Sequence, residues 1–190
     1  MRRLIVCLSL FVLASCATET EELASTPSPA DPQPAALKDG LSVRYIGAKL
    51  NSIPELREWL THKDGQEGVP LETLTYHMEK GPVLTSEKED LVGAYISGYL
   101  QFETPGEYRF QVTNNDGVSI HLGGALLYDD PKVGADRTSE PIPVEISAPG
   151  WYALEIWYFE KKGTATLDVL WSRPGSSGFE TIAAEVLKHE

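Results

Sequence analysis

Between residues 91 and 172 one run after another places apolar side chains at every second position, and that period admits little but β-strand. In GEYRFQVT (106–113) Tyr108, Phe110 and Val112 alternate with Glu107, Arg109 and Gln111. Val118, Ile120 and Leu122 share a phase in GVSIHLGG (117–124). Ala94, Ile96, Leu100 and Phe102 do so in LVGAYISGYLQFE (91–103), as do Tyr152, Leu154, Ile156 and Tyr158 in GWYALEIWYFE (150–160). TATLDVLWS (164–172) repeats the pattern, and LSVRYIG (41–47) and IPVEIS (142–147) are shorter versions of it. Successive strand residues point to opposite faces, so alternation means one buried and one solvated face, as in antiparallel sheets. Pro105-Gly106, Asp116-Gly117, Gly123-Gly124, Pro149-Gly150 and Lys162-Gly163 punctuate the runs as turns. The chain from residue 40 to 190 therefore reads as one all-β domain, an antiparallel sandwich or barrel.

Residues 51–90 break the pattern. NSIPELREWLTH predicts a short helix, with Ser52 as cap, Pro54 in the first turn, and Leu56, Trp59 and Leu60 at helical spacing. This helical and loop insertion is expected to cover a sheet edge or face. It would bury the second faces of Trp157 and Phe159. Tyr95 and Tyr99, on the same phase, are open to either fate: covered by that segment, or exposed and able to stack on a ligand.

The first residues carry an address. Arg2 and Arg3, an apolar run from Leu4 to Ala14, and small residues before a cysteine have the composition of a secretory signal. The run is shorter than the roughly 20 residues a membrane span needs. Leu13-Ala14-Ser15-Cys16 resembles the lipobox of bacterial lipoproteins. That resemblance implies removal of residues 1–15, palmitate-type acylation of Cys16 as the new N-terminus, and, with Ala17 following, a lipid anchor in the outer membrane of the cell envelope. Residues 16–39 then read as a proline-rich tether. With Cys7 in the signal and Cys16 acylated, no thiol is left for a disulfide, a metal or a nucleophile. Loss of residues 1–15 removes two arginines and no acid, leaving 14 basic and 28 acidic side chains, a formal charge of −14. A chain so acidic has no electrostatic footprint for nucleic acid.

The run GLSVRYIG, then SGYLQFETPGEYRFQVTNNDGVSIHLGGALLYDD, then PVEISAPGWYALEIWYFEKKGTATLDVLW, resembles the PA14 domain series. The order of a proline-glycine turn, a Tyr-x-Phe strand, an Asn-Asp-Gly turn, a glycine turn, a glycine-led aromatic strand and a closing Leu-Trp carries the likeness. Residues 51–90 fit it poorly. The resemblance implies a β-sandwich and, in sugar-binding members, a calcium ion held by two consecutive aspartates and touching sugar hydroxyls. Those positions fall on Asn115 and Asp116, which makes them the candidate metal residues. One of the two charges is missing. A second family loop falls on Glu160 to Gly163, where Lys161 and Lys162 oppose a cation. Calcium takes six to eight oxygens, and Asn114, Asn115 and Asp116 supply them only with help from backbone and Glu160. Two readings therefore stand side by side: a hairpin bend, for which Asp-Gly is a strong signal, and a cation site. Asp129-Asp130 is a further oxygen-rich turn.

No catalytic constellation can be assembled. His62, His77, His121 and His189 lack metal-ligand spacing, and Gly175-Ser176-Ser177-Gly178 lacks the spacing of a nucleophile elbow. The expected function is that of a non-catalytic envelope module recognising a glycan. The candidate ligand-binding residues are Asn114, Asn115, Asp116, Lys161, Lys162 and Gly163, with Tyr95 and Tyr99 as stacking groups. The alternative is a protein-interaction or scaffolding module of the envelope that binds no sugar.

Overall fold

The computed structural model describes residues 26–190. The signal peptide, Cys16 and the first part of the tether lie outside the described residues. The domain is a mostly antiparallel β-sandwich with one short helix. Its main strands are β1 (Ser42–Gly47), β2 (Thr75–Met78), β3 (Val92–Phe102), β4 (Gly106–Asn115), β5 (Gly117–Leu122), β6 (Ala125–Asp130), β7 (Ile142–Ile146), β8 (Gly150–Glu160), β9 (Ala165–Ser172) and β10 (Leu187–His189).

The larger sheet centres on β3 and β8, paired antiparallel through eleven residues from Val92↔Glu160 to Phe102↔Gly150. Strands β5 and then β6 extend it on one side. On the other side β1 and β10 each pair with part of β3. The smaller sheet runs β7, β4, β9, with β2 also on β9. The alternating residues of the sequence meet between the sheets. Phe102 from the large sheet packs edge-on against Tyr108, Phe110 and Tyr152, with ring centroids 4.8, 6.5 and 5.0 Å away. Trp171 lies 5.9 Å from Phe102. Edge-to-face pairs at such distances add to the stabilisation that area burial alone provides.

The helix α1 (Ile53–His62) forms where Ser52 and Pro54 predict it. Ser52 Oγ accepts from the Glu55 N–H at 3.4 Å, and Glu55 Oε2 accepts from the Asn51 N–H at 2.9 Å, a reciprocal cap. Its Ile53 and Leu56 join Ile46, Leu50 and Phe159 in a second small core on the outer face of the large sheet. Phe159 is thus covered as expected. Trp157, two residues earlier, is only half-buried at the edge of that cover.

Three of these main strands went unread in the sequence: β2, β6 and β10. Residues 28–33 also depart from a free tether. Their backbone lies against the sandwich, with Ser28 N–H donating to Gly123 O at 3.1 Å and Ala30 N–H to Trp151 O at 2.8 Å. Gln33 Oε1 accepts from the Trp151 N–H at 2.7 Å. Lys38–Asp39 then pairs with β10.

Candidate functional site

The stretch Asn114-Asn115-Asp116 is not a hairpin bend, which corrects one of the two readings of the sequence. β4 ends at Asn115 paired with β9 in the small sheet, and β5 begins at Gly117 paired with β8 in the large one. The chain crosses between sheets at Asp116. The hairpin turn comes one strand later, at Gly123 and Gly124, whose φ angles of 53° and 80° suit a primed turn.

Crossing between sheets buries the polar residues that make the crossing. Asn114, Asn115 and Asp116 are 0%, 7% and 4% exposed, and a buried polar group is tolerated only if it is hydrogen-bonded. Each one is. Asn114 Nδ2 donates to Asp116 O at 2.6 Å and to Asp130 Oδ2 at 3.0 Å, and the Tyr128 hydroxyl donates to Asn114 Oδ1. Asp130 also pairs with Arg137. Asn115 Nδ2 donates to Asp136 Oδ1 at 2.9 Å and to Thr164 Oγ1 at 3.0 Å. The Tyr158 hydroxyl donates to Asn115 O at 2.6 Å.

Asp116 joins two loops. Its Oδ1 accepts the Gly134 N–H and its Oδ2 the Lys161 N–H, both at 2.9 Å. Lys161 Nζ reaches Asn51 Oδ1 at 2.9 Å, and the Gly163 N–H donates to Asp90 Oδ1 at 3.0 Å. Five of the sequence candidates, Asn114, Asn115, Asp116, Lys161 and Gly163, are therefore brought together in one rim, with Lys162 exposed at its tip. Tyr95 and Tyr99 are not part of the rim. They stand on the outer face of the large sheet opposite Trp157 and Ala153. A groove of about 480 Å³ lies at the other ends of β4 and β9, between Tyr108, Trp171, Arg173 and Glu180.

The donor set does not suit calcium. Each Asp116 oxygen already faces a backbone N–H, and the Asn115 amide nitrogen is turned to Asp136 and Thr164. Among the described residues no group of three or more His, Cys, Asp or Glu side chains is placed to hold a metal ion. The Asp130 and Asp136 carboxylates accept from Asn114 and Asn115, and Glu160, the last residue of β8, is fully buried. Burial, then the carboxylates of Asp90 and Asp116, push it up to about 7, while its bond from the Leu91 N–H acts the other way. Its Oε1 has no hydrogen-bond partner among the described residues. Such a group is largely protonated in mildly acidic solution, and a proton makes it a poor cation ligand.

Comparisons with known proteins bear on the family and the fold. The model of the family described as PA14 domain matches residues 73–184, well over half of the chain. No curated protein is significantly similar to it. Among solved structures, the PA14 domain of an antifreeze protein superposes with a TM-score of 0.66 at 21% identity, over 85% of this chain and 96% of that one. The PA14 sugar-binding domain of an RTX adhesin gives 0.63 at 15% identity, over 80% and 99%. The A domain of epithelial adhesin 9 from Candida glabrata, in complex with Galb1-3GlcNAc, gives 0.58 at 12% identity, over 87% and 96%. At such identities the likeness is one of fold.

Two outcomes follow from this geometry. Replacing Asp116 by Ala strands the Gly134 and Lys161 N–H groups, at a cost of roughly 2–4 kcal/mol. Thermal melts of the wild type with calcium and with EDTA will coincide; a calcium-dependent rise that the variant loses would restore the cation reading. Glu160 sets a pH dependence. Its folded carboxyl holds a proton that the unfolded chain gives up near pH 4.5. Its contribution to stability is thus complete below that value and is lost as pH rises through about 7. Urea denaturation between pH 5 and pH 8 will show a decline on the order of 3 kcal/mol from this group, and Glu160→Gln will remove it.

Proposed function

The chain belongs to the PA14 domain family, and from that premise we propose that it is a non-catalytic binding module that recognises carbohydrate at the cell envelope, held there by lipid on Cys16. The observation that carries the reading is the bond from the Lys161 N–H to Asp116. It ties the β8–β9 loop to the sheet crossing, so that two loops distant in sequence form one rim. Solved relatives of this fold include a sugar-binding adhesin domain and an adhesin domain in complex with a disaccharide, which supports a glycan as the partner.

Recognition at this rim is direct and needs no bridging ion. Asp116 and Asn114 are framework: their polar atoms face other parts of the chain. The Lys162 ammonium and the exposed Asp136 carboxylate, the latter held in place by the Asn115 amide, are the donor and acceptor for sugar hydroxyls. A lysine where a cation would need oxygen also favours one alternative, a protein partner presenting an acidic group to Lys161 and Lys162.

The test is a glycan array probed with the whole chain in EDTA. A bound set of glycans whose retention falls severalfold in Lys162→Ala and Asn115→Ala is the expected result. Retention of none, or retention indifferent to both substitutions, would turn the reading to the protein partner. Cys16→Ser will move the chain from the membrane to the soluble fraction on expression in a diderm bacterium; unchanged fractionation would remove the anchor.

A further inference from the structure

The large sheet has an outer face, and α1 covers only one end of it. Beyond the helix, successive rows of side chains cross the strands in register. One row runs Arg44, Tyr95, Trp157 and Ser119, from β1 through β3 and β8 to β5; the next runs Ser42, Ser97, Glu155 and His121. The ring centroids of Tyr95 and Trp157 are 4.4 Å apart. The Arg44 guanidinium lies 5.3 Å from the Tyr95 centroid and that of Arg57, on α1, 4.7 Å from the Trp157 centroid.

These groups are underused by the fold. The ion pairs among the described residues are Arg137 with Asp130, Arg173 with Glu180 and Lys188 with Asp39, so neither Arg44 nor Arg57 is in one. Arg57 is steadied by a long 3.4 Å bond to Ser119 Oγ. Trp157 Nε1 and His121 Nδ1, both shielded from solvent, have no hydrogen-bond partner among the described residues. Glu155 is exposed, and with Arg44 and Arg57 it acts on the Tyr95 hydroxyl, which burial first of all raises. Two shallow grooves of about 310 Å³ open on either side of this line. One is floored by Ser97, Tyr99 and Glu155, the other by Arg57, Ser119 and His121.

We propose that this sheet face is a second saccharide site, for a neutral chain of sugar units, with Tyr95 and Trp157 as the platform and the two grooves as flanking subsites. Three features select that occupant. Half-buried aromatic rings offer apolar area at little entropic cost, which suits the C–H face of a pyranose. The surrounding groups mix donors and acceptors, and a hydroxyl both gives and takes a hydrogen bond. Charge on the face is mixed, with Arg44, Arg57 and Lys188 against Glu67, Asp129, Glu155 and Glu190, and the chain as a whole carries −12; a polyanion would meet that net charge and gain no local excess of cations. This site is independent of the loop rim and stands or falls apart from it.

The test titrates the whole chain with cellohexaose, chitohexaose and maltohexaose, and with oligogalacturonate as the anionic arm. Tryptophan fluorescence and calorimetry report binding. At least one neutral hexasaccharide will bind, and Tyr95→Ala will weaken it about tenfold. Glu155→Ala, an exposed position that leaves the core untouched, will weaken it severalfold and serves if Tyr95→Ala unfolds. Lys162→Ala at the rim will leave this binding unchanged. Binding of none of the neutral probes, binding of oligogalacturonate alone, or a loss that follows Lys162→Ala and spares Glu155→Ala, would each overturn the proposal.

Discussion

A buried carboxylate must find hydrogen-bond donors, and the shape of one end of this protein follows from how Asp116 finds them. The chain passes from the small sheet to the large one at that residue, so its side chain cannot reach bulk water. Two backbone N–H groups from separate loops turn inward to meet it. Leaving either unmet would cost more than an ordinary hydrogen bond contributes, because the desolvation of the charge would go uncompensated. The loops are thus held in place by the requirement of a residue that is itself hidden from any ligand.

That arrangement separates framework from contact. Oxygen-rich residues in a turn invite a metal reading, yet here their oxygens and amide nitrogens are spent on Gly134, Lys161, Asp130, Asp136 and Thr164. The groups left at the rim are fewer and include a lysine. Glu160 beneath them is driven toward its neutral form by burial first and then by Asp90 and Asp116, so charge accumulates less at this end than the count of acids implies.

The long strands were legible because each obeys one rule along its whole length: Ile96, Ile120 and Ile156 lie in register across β3, β5 and β8, and all three are buried. β6 escaped because a register shift between Ile120 and His121 breaks its phase and leaves Leu126 exposed. β2 and β10 span four and three residues, too few for a period to show. The sheet crossing at Asp116 was hidden by a local likeness, since Asp-Gly between alternating runs reads as a hairpin whichever sheet the next strand joins. Its partners were hidden by distance: Asp136 meets Asn115 across 21 residues and Lys161 meets Asp116 across 45. No local pattern marks such pairs. Tyr95 and Tyr99 were recognised as outward-facing, but only the register of β3 on β8 assigns them to the sheet face and away from the loops.

The segment laid along the sandwich has a mechanical consequence. Tension entering from the N-terminal side meets the Ser28–Gly123 bond first, then Ala30 and Gln33 on Trp151, and only afterwards the Lys38–Asp39 pairing with β10. These contacts let go one at a time from the outside in. A module pulled by its N-terminal end would lengthen by peeling this strap, absorbing the load in steps while the aromatic core around Phe102 stays closed.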